Sequence, residues 1–180
     1  IRSVLPGRAL AIMSGPSHAE EVARRIPSSV VIGAASRDVA RRMQRLFTTE
    51  RFRVYANTDP LGVELGGALK NVIAIAAGVC DGLGFGDNTK SALITRGLVE
   101  MVRLATKLGA KKQTFAGLAG MGDLITTSFS SHGRNRRVGE QIGKGDPLER
   151  ILRKSQQVAE GVGTTQAVMS LARKLRVDMP

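Results

Sequence analysis

The stretch that decides the fold runs from Asn57 to Gly84 and reads NTDPLGVELGGALKNVIAIAAGVCDGLG. Thr58 or Asp59 can cap a helix with Pro60 at its first position, where proline's missing N–H has no intrahelical partner to lose. The pattern predicts a helix from there to about Asp81. Between Leu65 and Cys80 its one formal charge is Lys70, with Asn71 beside it. An ammonium among Leu, Val, Ile and Ala is costly to desolvate unless it is paired or used. Two adjacent polar residues on an apolar helix point to a polar pocket, since each buried polar group needs a partner. Lys70 can instead run its stem along the surface and keep its amine in water. The sequence leaves both arrangements open.

Upstream of this helix the texture is different. ALAIMSG (9–15) reads as a strand ending at Gly15-Pro16, and SHAEEVARR (17–25) as a helix start, with Ser17 as N-cap and Glu20 completing a capping box. SSVVIGA (28–34) and FRVYAN (52–57) read as two further strands. Between them SRDVARRMQRLF (36–47) reads as a helix with Val39, Met43, Leu46 and Phe47 on one side. Such alternation implies the tail of an α/β sheet domain. Downstream, GLGFGDNTK (82–90) reads as a glycine-rich loop and KSALITRGLVEMVRLATKLG (90–109) as a helix closed by Gly109. Shorter helices are expected in AGMGDLITTSF, RNRRVGEQIGKG, PLERILRKSQ and GTTQAVMSLARKL. The boundary between the two textures falls near Thr58, which gives residues 1–57 as α/β and residues 58–180 as all-helical.

The 180 residues carry 27 Lys and Arg against 15 Asp and Glu, a formal charge of +12, which favours an anionic partner. Aromatic residues are only 3% and the basic ones are scattered, so a nucleic-acid face is poorly supplied and no nucleic-acid partner is expected. The lone cysteine, Cys80, cannot form an internal disulfide, which favours a reducing, cytoplasmic setting. The apolar run from Leu65 to Cys80 is short for a bilayer and holds a charge, so no membrane span is expected. The chain opens on Ile1 instead of Met and stops just after a helical pattern, so a piece of a longer protein is expected.

A partner for Lys70 is at hand in GLAGMGDLITTSFSSHGRNRRVG (117–139). Asp123 lies among small residues that permit close backbone approach, though it can equally cap the helix that follows. Ser130, Ser131 and Gly133 precede a helix opening with Arg134 and Asn135. Its free N–H groups and the Arg134 guanidinium favour an anion. Arg136 and Arg137 fit the plainer reading of a solvated helix surface. SGPS (14–17), which contains Gly15 and Ser17, ends a strand and lets backbone approach a ligand. The chain shows no G-x-G-x-x-G after a strand, no phosphate-loop motif and no Cys/His metal spacing, so no metal is expected. His18 and His132 are too isolated in sequence to propose as ligands.

Taken together, SGPSHAEEV, the block from NTDPLG to GLVEM, AGMGDLITTSFSSHGRNRRVG and VAEGVGT resemble bacterial NAD(P)-dependent glycerol-3-phosphate dehydrogenase over about residues 9 to 175. The resemblance implies a mixed fold: a short tail of a Rossmann-type domain followed by an all-α domain like the C-terminal one of 6-phosphogluconate dehydrogenase. It implies interconversion of dihydroxyacetone phosphate and sn-glycerol 3-phosphate with NAD or NADP, feeding glycerophospholipid synthesis, and leaves a homodimer open. By motif position Lys70 is its catalytic lysine. Gly15, Ser17, Asp123, Gly133, Arg134 and Asn135 match substrate contacts, and Ala19, Arg134, Val158 and Glu160 match positions beside the dinucleotide. The family's glycine-rich fingerprint and a second substrate lysine are absent, so the isolated chain is expected to be inactive. Two rivals remain: a related 3-hydroxyacid dehydrogenase, and a basic helical module that binds nucleic acid.

Overall fold

The computed structural model describes residue 4, residues 6–154 and residues 159–180. Strand β1 (Ala11–Ser14) leads to a short helix α1 (Ala19–Ala23), then β2 (Ser28–Ala34), α2 (Arg37–Phe47) and β3 (Phe52–Asn57). The three strands form one sheet in the order β1-β2-β3. β2 runs parallel to β3, with Ser28 opposite Phe52, and α2 makes the crossover; β1 runs antiparallel, with Ala11 opposite Ala34. Alternation along β2 buries both faces. Val30 and Ile32 meet Val54 and Met43 on one side, and Val31 meets Val63 and Ala119 on the other.

Two local expectations are corrected here. Helix α1 has His18, not Ser17, at its N-cap, and no side chain caps it. The Ser17 hydroxyl donates instead to the Gly15 carbonyl, a local turn bond that competes with capping. On α2, Met43 reaches the sheet, Val39 is half-buried, and Leu46 and Phe47 are exposed. Helical spacing gives a residue's side of the helix but not how far the covering sheet extends.

Downstream of β3 the described elements are helical. α3 (Pro60–Gly82) is followed by α4 (Asp87–Lys107), α5 (Lys112–Phe115), a π-helical turn (Leu118–Gly122) and α6 (Asp123–Phe129), then by α7 (Arg134–Gly143), α8 (Leu148–Lys154) and α9 (Glu160–Leu175). The fold is therefore mixed, a small α/β sheet followed by helices. The far end of the helix expected over PLERILRKSQ lies outside the described residues. α4 begins at Asp87, so DNTK is helical and not part of the loop; α5 had no clear periodic signal.

Asp59, not Thr58, caps α3. Its buried carboxylate accepts from Gly62 N at 2.9 Å, Lys111 N at 2.8 Å and the Thr114 hydroxyl at 2.7 Å, which ties the helix start to α5. Burial by itself would raise the Asp59 carboxyl; hydrogen bonds from Thr114, Gly62 and Lys111 together outweigh it and hold it below its ordinary value. With 23 residues, α3 is long and apolar enough to cross a membrane by length and composition. In this fold it is the central core helix. Its Leu69 and Ala77 pack with Ile94, Met101 and Leu104 of α4, Phe115 of α5 and Leu124 of α6.

α7 crosses α3 backbone to backbone. A Cβ on Gly78 would overlap the Arg136 carbonyl oxygen, and one on Gly139 the Ile75 carbonyl oxygen. Those glycines let α7 sit close enough to fix the loop that precedes it.

Candidate active site

The amine of Lys70 meets the carboxylate of Asp123, Nζ to Oδ1, at 2.5 Å. The two side chains are 18% and 4% exposed, so the surface-directed arrangement does not occur. The juxtaposition has a local cause. Gly66, one helical turn before Lys70, lacks a Cβ that would strike the Ala119 carbonyl, so the π-helical turn leading into Asp123 lies against α3. Asp123 is not the N-cap of α6: Gly122 holds that position, and the Asp123 carboxylate turns toward Lys70.

Asp123 is held from three other directions. Ser14 Oγ and Gly15 N each donate to its Oδ2 at 3.2 Å, and the Thr127 hydroxyl donates to Oδ1 at 3.3 Å. A carboxylate with four donors stays put, and it replaces the water that the Lys70 ammonium gave up. Ser14 and Thr127 were missed in the sequence. Thr127 lies one turn after Asp123 on α6 and was legible in principle; Ser14 reaches the site only through the fold.

Lys70 opens on a cleft of about 890 Å³ between α1, α3, α6 and the start of α7. Ser17, Ala19, Asn71, Gly133, Arg134, Asn135 and Glu160 also line it. Gly15 and Asp123 stand behind Lys70 through the bonds just given. Asn135 is buried and its Oδ1 accepts from Gly161 N at 2.9 Å, so its carbonyl end is already engaged with the start of α9. Arg134 and Glu160 form an ion pair at 3.0 Å and are 47% and 46% exposed, an easily exchanged contact at the rim. Val158 lies outside the described residues.

The histidines are closer than their spacing implied. His18 and His132 both line the cleft, with ring centroids 6.0 Å apart. Glu20, exposed at the same rim, has its carboxyl lowered by its backbone hydrogen bond, with His132, His18 and Arg134 adding to the effect. Among the described residues no cluster of three or more His, Cys, Asp or Glu could hold a metal ion.

A cluster that the sequence did not reveal lies further along α3. Lys90 Nζ donates to both oxygens of Asp81 at 2.9 Å, and Arg136 Nη1 donates to Asp81 Oδ2 at 2.6 Å. Arg136 is only 15% exposed, which corrects its reading as a solvated surface residue. Burial raises the Asp81 carboxyl, but hydrogen bonds and charge from Lys90 and Arg136 outweigh it and leave it lowered.

Residues 1–40 match the family model for the NAD-dependent glycerol-3-phosphate dehydrogenase N-terminus, and residues 59–180 match the one for its C-terminus. A glycerol-3-phosphate dehydrogenase (NAD(P)+) of Citrifermentans bemidjiense is 60% identical over 171 residues, covering 95% of this chain and 51% of the relative. One from Chlorobium chlorochromatii is 58% identical, covering 92% and 50%. The crystal structure of the Coxiella burnetii glycerol-3-phosphate dehydrogenase superposes with a TM-score of 0.95 at 41% identity, covering 99% of this chain and 55% of that one. The chain thus spans about half the length of the curated relatives it matches. With both family models matched in order, and with identity this high over nearly every residue, the chain belongs to the NAD-dependent glycerol-3-phosphate dehydrogenase family.

Proposed function

We propose that this chain supplies the substrate-binding half of an enzyme that interconverts dihydroxyacetone phosphate and sn-glycerol 3-phosphate with NAD(P)H in the cytoplasm, for glycerophospholipid synthesis. On this reading residues 1–57 close a dinucleotide-binding domain and residues 58–180 form the helical catalytic part. One observation carries the reading: Lys70, held from behind by Asp123, and Arg134 line a single cleft.

Reduction of a ketone places negative charge on its oxygen. The Lys70 ammonium, held by Asp123, stabilises that oxygen and gives it a proton; in the reverse direction the same amine takes the hydroxyl proton. Arg134 and the backbone around Gly133 hold the phosphate, whose binding energy sets the carbonyl against Lys70. Ser17 and Asn135 border the glycerol part, and Gly15 acts through its N–H on Asp123. Ala19, Arg134 and Glu160 fit one edge of a dinucleotide, since Ala19 leaves room at the start of α1 and Glu160 and Arg134 are exposed partners that a polar ligand can separate. A bound dinucleotide would supply the hydride chemistry, beside the edge that Ala19, Arg134 and Glu160 offer.

The test joins this chain to the dinucleotide-binding half of the Citrifermentans relative. Lys70→Met lowers kcat by roughly 10²–10⁴-fold, the range of general acid–base catalysis; an undiminished kcat overturns the assignment. The 180-residue chain alone gives no turnover. Arg134 and its α-helical N-terminus favour a phosphate over the carboxylate of a 3-hydroxyacid, and a substrate profile of the joined enzyme separates the two.

A further inference from the structure

We infer that Arg136 is a positioning residue for the phosphate-binding loop: anchored on Asp81, it grips the Ser130 carbonyl and so sets where Gly133 and Arg134 meet an anion. The inference rests on the function proposed above and adds a residue that makes no contact with substrate.

The geometry runs through one guanidinium. Nη1 donates to Asp81 Oδ2 at 2.6 Å and lies 3.4 Å from Glu140 Oε2, while Nε donates to the Ser130 carbonyl at 3.0 Å. The same Ser130 carbonyl accepts from Gly133 N at 3.2 Å, and the Ser130 hydroxyl accepts from His132 N at 3.1 Å. Residues 130–133 therefore fold onto Ser130, and Ser130 is fixed by Arg136. Gly133 has little room to relax away, since a Cβ there would lie 2.8 Å from the Thr127 carbonyl oxygen and 3.3 Å from Arg136 Cβ.

The anchor itself is rigid. Asp81 is held by Lys90, which is 7% exposed and stands 4.6 Å above the ring of Phe129, the last residue of α6. One cluster thus braces both sides of the loop's start, Phe129 through Lys90 and Ser130 through Arg136. Asp81 also lies on the helix that carries Lys70, about 16 Å further along at 1.5 Å per residue. The proton donor and the phosphate loop are therefore both referenced to α3. Stability alone is a poor account of this arrangement. A buried ion pair is often replaceable by apolar side chains without loss, and a lysine could neutralise Asp81 but could not also hold a carbonyl with a planar fork.

The experiment uses the joined enzyme described above, sn-glycerol 3-phosphate as probe, calorimetric titration, and the backbone amide NMR signals of the loop. Arg136→Lys keeps the charge toward Asp81 and removes the Nε donor. Affinity falls about tenfold, the scale of one charge-assisted hydrogen bond. The Gly133 and Arg134 amide signals move, and the thermal midpoint changes by no more than a few degrees. Asp81→Asn, which loosens the anchor from the other side, moves the same two amides. Undiminished affinity with unmoved loop amides overturns the inference. So does loss of folding in both variants, which would make the cluster purely structural. A wild-type joined enzyme that does not bind sn-glycerol 3-phosphate overturns the proposed function itself, and the loop amides then decide the positioning alone.

Discussion

Helix α3 carries two ion-paired groups built in different ways. At Lys70 a single amine faces one carboxylate, and the amine also borders a cleft of about 890 Å³. At Asp81 one carboxylate is enclosed by two cations, Lys90 and Arg136, both largely out of water. The first arrangement leaves the cation in contact with space a ligand can enter. The second spends its donors on protein groups and joins three helices. Burial alone does not mark a functional charge; what matters is whether the buried group still faces open volume.

The largest expected effect is Asp81→Ala. It leaves Lys90 and Arg136 buried without their carboxylate, and urea unfolding should show a loss of roughly 3–5 kcal/mol, the cost of breaking a buried pair. Asp123→Asn should cost less stability, roughly 1–3 kcal/mol, because the amide still accepts from Ser14 and Gly15. It should cost the joined enzyme far more kcat than Asp81→Asn does. Equal kcat losses would erase the distinction between the two clusters.

Acid sharpens the same contrast. The Asp81 and Asp59 carboxyls are held below their ordinary value of 3.8. The stability they contribute is complete above that value and is lost as pH falls through the lowered ones. Thermal midpoints should therefore be flat from about pH 7 to 5 and fall below about pH 4. Asp81→Asn should reduce the slope of that fall, and an unchanged slope would remove Asp81 as its source. The smallest effect is expected at Lys144→Ala. Its pair with Glu140, at 2.6 Å but with Lys144 58% exposed, should be worth no more than about 0.5 kcal/mol.

Much of the scaffold was legible. The bounds of β2 and β3 match the runs SSVVIGA and FRVYAN, because strand signals are local. The start of α3 was legible from Asp59-Pro60 for the same reason. The candidate site was legible in its strongest members, Lys70, Asp123 and Arg134, since each stands out against its own neighbours. Ser17 failed as a cap because a competing turn bond to Gly15 is invisible in a spacing rule. Lys90 and Arg136 carried no local signal at all. One closed a glycine-rich stretch that reads as a loop, and the other lay within an arginine run that reads as a solvated helix surface.

The sequence by itself determined the three strands and the longer helices, and that an ammonium stands on an apolar helix, because both depend on residues a few positions apart. Only the tertiary structure decided which carboxylate that ammonium meets, that β1 joins the sheet antiparallel, and that Arg136 turns inward to Asp81 and Ser130. Those outcomes depend on pairs far apart in the chain, whose energies exist only after α3, α6 and α7 have packed and excluded water.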